Sequence, residues 1–413
     1  MKENWLRLDH AAKIFPAGTY GTETQVFRFS CELYEPIDAG ILQEALDQTI
    51  KAFPSYRVVL RHGFFWYYLE ESSLCPVVKP EMKKVCQDME CVKKQKLLFE
   101  VTYFQKRINL EIYHVLSDGT SAMHFLKNLT GEYLSLKYGL EWKETELDAS
   151  YSQRADDSYA RYYSGEKVKR VTPKAACRIH GARYSGKFLR NISGRVGLDD
   201  LMSLCRSQNA TMTVFLAACL IYAIGENVSV KERKKPIVLS VPVNLRNAFP
   251  SASARNFFGA VYVEYDWQQY GGDFQQILAH VKKQFKEKIT REHLAWQMDS
   301  QSGAEHNIFA RMAPLFLKNM VLRRIYKRNM KGVTATVSNV GAVEMPEEFG
   351  PYIRAFEICS STNKIQACIC SFHNCVSISC TTPYISSDIE RVFFRKLSEY
   401  GIHAEIMTNF RED

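Results

Sequence analysis

Apolar and polar residues alternate with a period of two along QVFRFSCELYEP, so that Phe27, Phe29, Cys31 and Leu33 fall on one face and Arg28, Ser30 and Glu32 on the other. This predicts a half-buried strand. The period then lengthens. In IDAGILQEALDQTIKAF, Leu42, Ala45, Leu46 and Ile50 form a helical stripe, Asp38 stands where a cap is needed and Pro54 stops the run. SYRVVLRHGFFWYYLEES reads as two short strands joined at His62-Gly63, and KLLFEVTYFQKRINLEIYHVL as a second hairpin. On its last strand Leu110, Ile112 and His114 share a face. TSAMHFLKNLTGEYLSLKYG returns to helical spacing through Met123, Leu126, Leu129 and Tyr133 and ends at Gly139. His124, inside that helix, reads as a packing or surface residue.

From Glu141 to about Lys174 the chain turns polar, with QRADDS (153–158) at its centre, which predicts a crossover or linker. Beyond it the alternation of strands and helices resumes. FLRNISGRVGL is strand-like, and GLDDLMSLCRSQNATMTVFLAACLIYAIG holds two helices, the second capped by Thr211 or Thr213. PIVLSVPVNLR has the near-continuous apolar character of a strand buried on both faces, whereas NFFGAVYVEYDW alternates. DFQQILAHVKKQFKEKI, capped by Asp273, and the basic MAPLFLKNMVLRRIYKR read as helices. TATVSNVG, a hairpin in ACICSFHNCVSISC turning at His373-Asn374, and a helix near DIERVFFRKLSEYG complete the pattern. The expectation is a mixed α/β fold in two parts, residues 1–165 and 166–413.

A length of 413 residues suits two such domains of about 200 each. Hydrophobic residues at 46% and charged residues at 24% are ordinary for a soluble globular protein. The N-terminal segment lacks the apolar run of a signal peptide, and no stretch of about 18 uncharged apolar residues predicts a transmembrane helix. A cytoplasmic monomer is expected. Five of the twelve cysteines fall between Cys359 and Cys380, with spacings that match no zinc ribbon or finger. Cys368 and Cys370 lie two apart, as Val376 and Ile378 do, so they read as small apolar strand residues and no metal is expected. The net charge of +9 gathers in KERKK (231–235) and RRIYKRNMK (323–331). No zinc knuckle, recognition helix or RNP-like aromatic motif accompanies these runs, so nucleic acid is not an expected partner. They are either solvated faces or a rim that attracts a phosphorylated small ligand.

One segment carries chemistry. In YHVLSDGTSAMHFL (113–126), His114 precedes Asp118-Gly119 by four positions at a strand-to-helix junction. YHVLSDG resembles the His-x-x-x-Asp-Gly signature of the chloramphenicol acetyltransferase-like superfamily, which includes the condensation domains of nonribosomal peptide synthetases, wax ester synthases and alcohol O-acetyltransferases. The likeness covers most of the chain: LRLDHAAKIFPA, SVPVNLRNAF followed by NFFG, and VSNVG near residue 340 occur in the order such proteins use. The nearest branch is the bacterial alcohol acetyltransferase-like one. The resemblance implies two lobes, each a mixed sheet backed by helices, with His114 in a tunnel between them and one substrate entering from each face. Residue by residue, His114 resembles the general base, Asp118 the structural partner that holds the loop, and Gly119 a position where the backbone must approach closely. Arg246, in PVNLR, is the candidate partner of Asp118 through a bidentate arginine–carboxylate pair; otherwise it is a surface residue at a strand end. Ser338 and Asn339, in TVSNVG, either donate to a developing oxyanion, a role worth about 3 kcal/mol, or close a strand in a turn.

An imidazole suits this task. Titrating near ~6.5, it is largely neutral at physiological pH and takes a proton from a hydroxyl or amine as that group attacks a thioester. The imidazolium then returns the proton to the departing thiol. G-x-S-x-G and a Walker-type loop are both absent, and the resemblance implies a ternary complex without an acyl-enzyme. The chain departs from its relatives in three ways. Tyr113 stands where condensation domains usually carry a second histidine, no Asp-Phe-Gly-Trp-Gly segment is present, and no carrier domain with its modified serine is included. These favour a stand-alone acyl-CoA-dependent O-acyltransferase acting on a hydroxyl of a small or lipophilic acceptor. Acyl-CoA would be a co-substrate rather than a permanent cofactor, and the residues that bind it stay unassigned. The runner-up is a condensation-type enzyme forming an amide or ester from a separate acyl carrier protein. A non-catalytic binding relative is the other class, and intact His114, Asp118 and Gly119 argue against it.

Overall fold

The computed structural model describes residues 5–82, 84–143, 157–165, 174–302 and 312–409; the centre of the predicted linker, 153–156, lies outside them. In the first half the strands are Trp5–Arg7 (β1), Val26–Leu33 (β2), Val58–His62 (β3), Tyr67–Glu71 (β4), Lys79–Pro80 (β5), Phe99–Phe104 (β6) and Arg107–Tyr113 (β7). In the second they are Arg190–Gly197 (β8), Ile237–Asn244 (β9), Phe258–Tyr265 (β10), Ala335–Ala342 (β11), Ile353–Ser360 (β12), Ile365–Phe372 (β13), Cys375–Thr382 (β14) and Glu405–Thr408 (β15). The longer helices are Ala39–Ala52 (α1), Gly119–Tyr138 (α2), Leu198–Ser207 (α3), Met212–Asn227 (α4), Phe274–Lys288 (α5), Arg291–Ser302 (α6), Leu315–Met330 (α7) and Asp388–Glu399 (α8).

They build two mixed sheets and a small antiparallel one. The first sheet runs β12-β2-β7-β6-β5 and is antiparallel except at β5–β6. The second runs β10-β9-β11-β13-β14-β8-β15, with β11 parallel to both of its neighbours. The third is β1-β4-β3. Helices α1 and α2 pack together against the first sheet. Asp38 starts α1 by accepting from the amides of Gly40 and Ile41 at 2.8 and 3.0 Å, which satisfies two donors that the first turn leaves open. Behind the second sheet α4 is apolar and buried on nearly every side, between α5, α8 and the strands. Its Gly225 is required by contact, since a Cβ there would lie 1.9 Å from the Trp267 ring.

Two readings from the pattern need correction. β2 is not half-buried: Arg28 and Ser30 are 4% and 5% exposed, with Arg28 paired to Glu81 and Glu111, Ser30 bonded to Asn109, and Arg195 of β8 reaching Glu32 from the second sheet. β9 is buried on both faces at Ile237–Leu239, but it opens toward Asn244, where it approaches α2. The short strands β1, β5 and β15 had no sequence expectation, nor did the longer β12. β12 follows β11 in the chain yet pairs with β2, so the second half of the chain completes the sheet of the first.

Candidate active site

His114 lies just past the end of β7, on the short link to α2. Its amide donates to the carbonyl of Gln25 at 2.8 Å, which fixes the backbone beside β2. Three aromatic rings surround the imidazole: Phe15 stacked at 4.6 Å, Phe27 edge-on at 4.8 Å and Phe258, from the second half of the chain, at 5.4 Å. The residue keeps part of its surface accessible. Burial nonetheless pushes the imidazole below its ordinary value, outweighing the charge of Asp118 and the bond to Asn256, which act the other way.

The tautomer follows from that bond. Asn256 Nδ2 donates to Asp9 Oδ2 at 3.1 Å and to the His114 carbonyl at 3.0 Å. Both partners are acceptors, so the amide NH2 belongs on that side and Oδ1 faces His114 Nδ1, 3.0 Å away. Nδ1 therefore carries the hydrogen and Nε2 holds the free lone pair. Asp9 is fully buried and accepts from the Ala12 amide at 2.7 Å, with Arg255 Nε 3.6 Å away. A neutral amide thus stands between a buried carboxylate and the ring, and it orients the imidazole without placing a full negative charge against it.

Asp118 makes no hydrogen bond to His114. It caps α2 by accepting from the Ser121 amide at 3.2 Å, and Oδ2 accepts from Arg246 Nη1 at 2.6 Å and from the Phe257 amide at 3.0 Å. Arg246 Nη2 donates in turn to the carbonyls of Ser253 and Arg255, at 2.8 and 2.6 Å. The pair grips the loop that carries Asn256 from both sides. Its effect on the imidazole is therefore indirect, running through the position of that amide.

The other sequence candidates are placed less closely. A Cβ on Gly119 would lie 3.5 Å from Val340 and 3.7 Å from Phe29, ordinary van der Waals contact, so neighbouring protein atoms alone do not demand a glycine. Asn339 Nδ2 donates to Thr213 Oγ1 and its Oδ1 accepts from the Gly341 amide, both at 2.9 Å. Its amide is thus committed within the second half. Ser338 lies opposite Cys368 on β11, and neither it nor Asn339 bonds to His114. Asn256, which holds the ring, and Asp9, which holds Asn256, carried no signal in the sequence. They sit in the quoted LRLDHAAKIFPA and NFFG, but 247 positions apart, and nothing in their spacing announces the contact.

Other chemistries find less support. Among the described residues no three His, Cys, Asp or Glu side chains are grouped to hold a metal ion. All twelve cysteines are free, and burial pushes Cys31, Cys91 and Cys368 up to about 12, far from a thiolate at neutral pH. A cavity of about 560 Å³ lies between the middle of β2 and β8, lined by Arg28, Glu81, Arg107 and Arg195 among others, and His114 is not part of its wall.

Solved structures of similar shape share little sequence. The trichothecene 15-O-acetyltransferase of Fusarium sporotrichioides has a TM-score of 0.62 at 9% identity, covering 96% of this chain and 94% of its own. The F. graminearum protein solved in complex with coenzyme A and deoxynivalenol has a TM-score of 0.63 at 10% identity, covering 97% and 99%. A starter condensation domain of rhizomide synthetase, solved with C8-CoA and Leu-SNAC, has a TM-score of 0.61 at 13% identity, covering 96% and 94%. At such identities these likenesses establish the fold, that of the two-lobed acyltransferases and condensation domains. No curated protein matches the chain by sequence. Residues 164–387, more than half of the chain, match the family described as alcohol acetyltransferase, and the chain belongs to that family.

Proposed function

We propose that the protein transfers an acyl group from acyl-CoA to a hydroxyl of a small or lipophilic acceptor, with His114 as general base. One observation carries this reading: Asn256 holds Nδ1 as a donor and leaves Nε2, on a residue that keeps part of its surface accessible, with a free lone pair. The acceptor's hydroxyl gives its proton to Nε2 as its oxygen attacks the thioester carbonyl. The resulting tetrahedral oxyanion collapses, the carbon–sulfur bond breaks, and the imidazolium returns the proton to the thiolate to release CoA. No bond forms between protein and acyl group. Burial helps, because a ring that resists protonation is kept neutral and ready. Ser338 is the better oxyanion donor of its pair, since the Asn339 amide already has partners.

In this reading residues 1–165 supply the base, and 166–413 supply Asn256 and Arg246, which position it. Both substrates enter a tunnel between these lobes. The free cysteines fit a reducing compartment such as the cytoplasm. The test is to incubate the protein with acyl-CoA donors and a panel of alcohols and amines while following free thiol. Thiol release that depends on an alcohol, with no acylated protein detectable by mass spectrometry, is expected. Turnover only with a loaded carrier protein would move the donor assignment to the condensation-type reading. A protein that binds but never turns over would remove the enzyme.

A further inference from the structure

Where α7 meets the turn between β3 and β4, apolar side chains face solvent. Phe64 is 70% exposed, Phe316 69% and Met320 64%, with Trp66 and Val321 beside them. The two pieces are fastened together: the Leu315 amide donates to the Phe64 carbonyl at 2.8 Å, and the Lys318 ammonium lies 3.4 Å over the Trp66 ring. None of the α7 side chains is buried. The helix holds Lys318, Arg323, Arg324, Lys327 and Arg328 and no acidic residue. With 3.6 residues per turn, Phe316 and Met320 on its first turns align with Arg324, Lys327 and Arg328 on its last. One face therefore passes from apolar to cationic along its length.

We propose that this surface docks on an anionic lipid bilayer. The aromatic turn and the start of α7 would enter the boundary between headgroups and acyl chains, and the basic end would rest on lipid phosphates. Charge decides among occupants. A second copy of the chain would set one cationic helix against another, and a soluble phosphate would leave Phe64, Phe316 and Met320 without a role. Among the described residues no single helix is long and apolar enough to cross a membrane, so the contact is interfacial. The surface is close to the candidate site. Tyr326 of α7 packs against Gly18 and bonds to Gln25 Nε2 at 3.1 Å, and Phe15, on the same short helix Phe15–Gly18, stacks on His114. The docking does not depend on which reaction the site performs.

The test is sedimentation of the full chain with vesicles of phosphatidylcholine, with and without phosphatidylglycerol. Binding is expected only to the anionic vesicles, and it should weaken as salt rises. Arg324→Glu with Arg328→Glu, and separately Phe316→Ser with Met320→Ser, should each lower it about tenfold or more without shifting the melting temperature, since all four positions are exposed. Quenching of tryptophan emission by brominated lipid, reduced in Trp66→Phe, reads insertion without disturbing the helix. The proposal is overturned by absence of binding, by equal binding to neutral vesicles, or by displacement with free CoA while the apolar double variant binds normally. A dimer in solution that the same double variant abolishes would overturn it in favour of a second copy.

Discussion

Two buried polar networks join the halves of the molecule, and they treat charge in opposite ways. In the middle of the first sheet every ionised group has a counter-charge. Arg28 meets Glu81 and Glu111, Arg107 meets Glu81 at 2.9 Å, and Arg195 of the second sheet bridges Glu32 and Glu357. At the end of the same strands the chain Asp9–Asn256–His114 stops on a neutral ring whose Nε2 bonds to no described residue. One network spends its carboxylates on its guanidiniums, and what it leaves over are donors, Arg107 Nε and Arg195 Nη1. The other spends all but one, and that one is where a substrate proton can go. Proximity to the interface is thus not what separates the two networks; an unspent acceptor is.

The largest effect should come from removing that acceptor. His114→Ala is expected to lower transfer by about 10²–10⁴-fold, read as kcat/KM, with a stability change smaller than that of any charge in the other network. Arg195→Met should do the reverse. It leaves Glu357 and part of Glu32 without a partner, at a cost of about 3–5 kcal/mol in urea unfolding, while activity per folded molecule persists. If His114→Ala proved the more destabilising of the two, the division between the networks would be wrong.

The same division explains what was legible in the sequence. Period-two alternation identified β2, and helical spacing with Asp38 and Gly139 bounded α1 and α2, because those signals are local. His114, Asp118 and Gly119 could be proposed together because they lie within six positions. Arg28, Ser30 and Glu32 look like a wetted face, but Glu81, Glu111 and Asn109 engage the first two from 53 to 83 positions away, and Arg195 of the second sheet reaches Glu32 from 163. Asp9 and Asn256 are hidden for the same reason, since a pair held by tertiary structure has no periodicity. β12, IRAFEICS, does not keep period two, with Ala355-Phe356 and Ile358-Cys359 as adjacent apolar pairs, and nothing local says which sheet it joins.

Acid should separate the networks in pH. In the proposed mechanism activity requires neutral His114, so kcat/KM should rise with pH through a midpoint below the ordinary ~6.5 and stay flat through neutrality. Asn256→Asp puts a carboxylate against Nδ1, favours the imidazolium, and should move that limb to higher pH with a loss of roughly tenfold at neutral pH. A purely structural role for Asn256 would lower the rate without moving the limb. Glu81 is raised by burial but lowered further by Arg28 and Arg107, and Glu32 likewise by Arg195 and Arg354. With folded values depressed, their stabilising contribution is complete above the usual carboxylate value of ~4.3 and is lost as pH falls through the folded values. Acid should therefore act through two separate titrations, of the ring on kcat/KM and of Glu81 and Glu32 on urea unfolding, and the two profiles need not coincide.

The smallest effect on stability should be that of Gly119→Ala. The added methyl would reach Val340 and Phe29 at ordinary contact distance, so urea unfolding should change by no more than about 0.5 kcal/mol. Any effect it has must then come from something the protein alone does not contain. A rise in KM with an unchanged melting temperature would mean that substrate passes over the start of α2, beside the free nitrogen. Unchanged kinetics would take Gly119 out of the site and leave the carboxylate of Asp118, which reaches the ring only through the Phe257 amide and the neighbouring Asn256, as the nearest functional part of that helix.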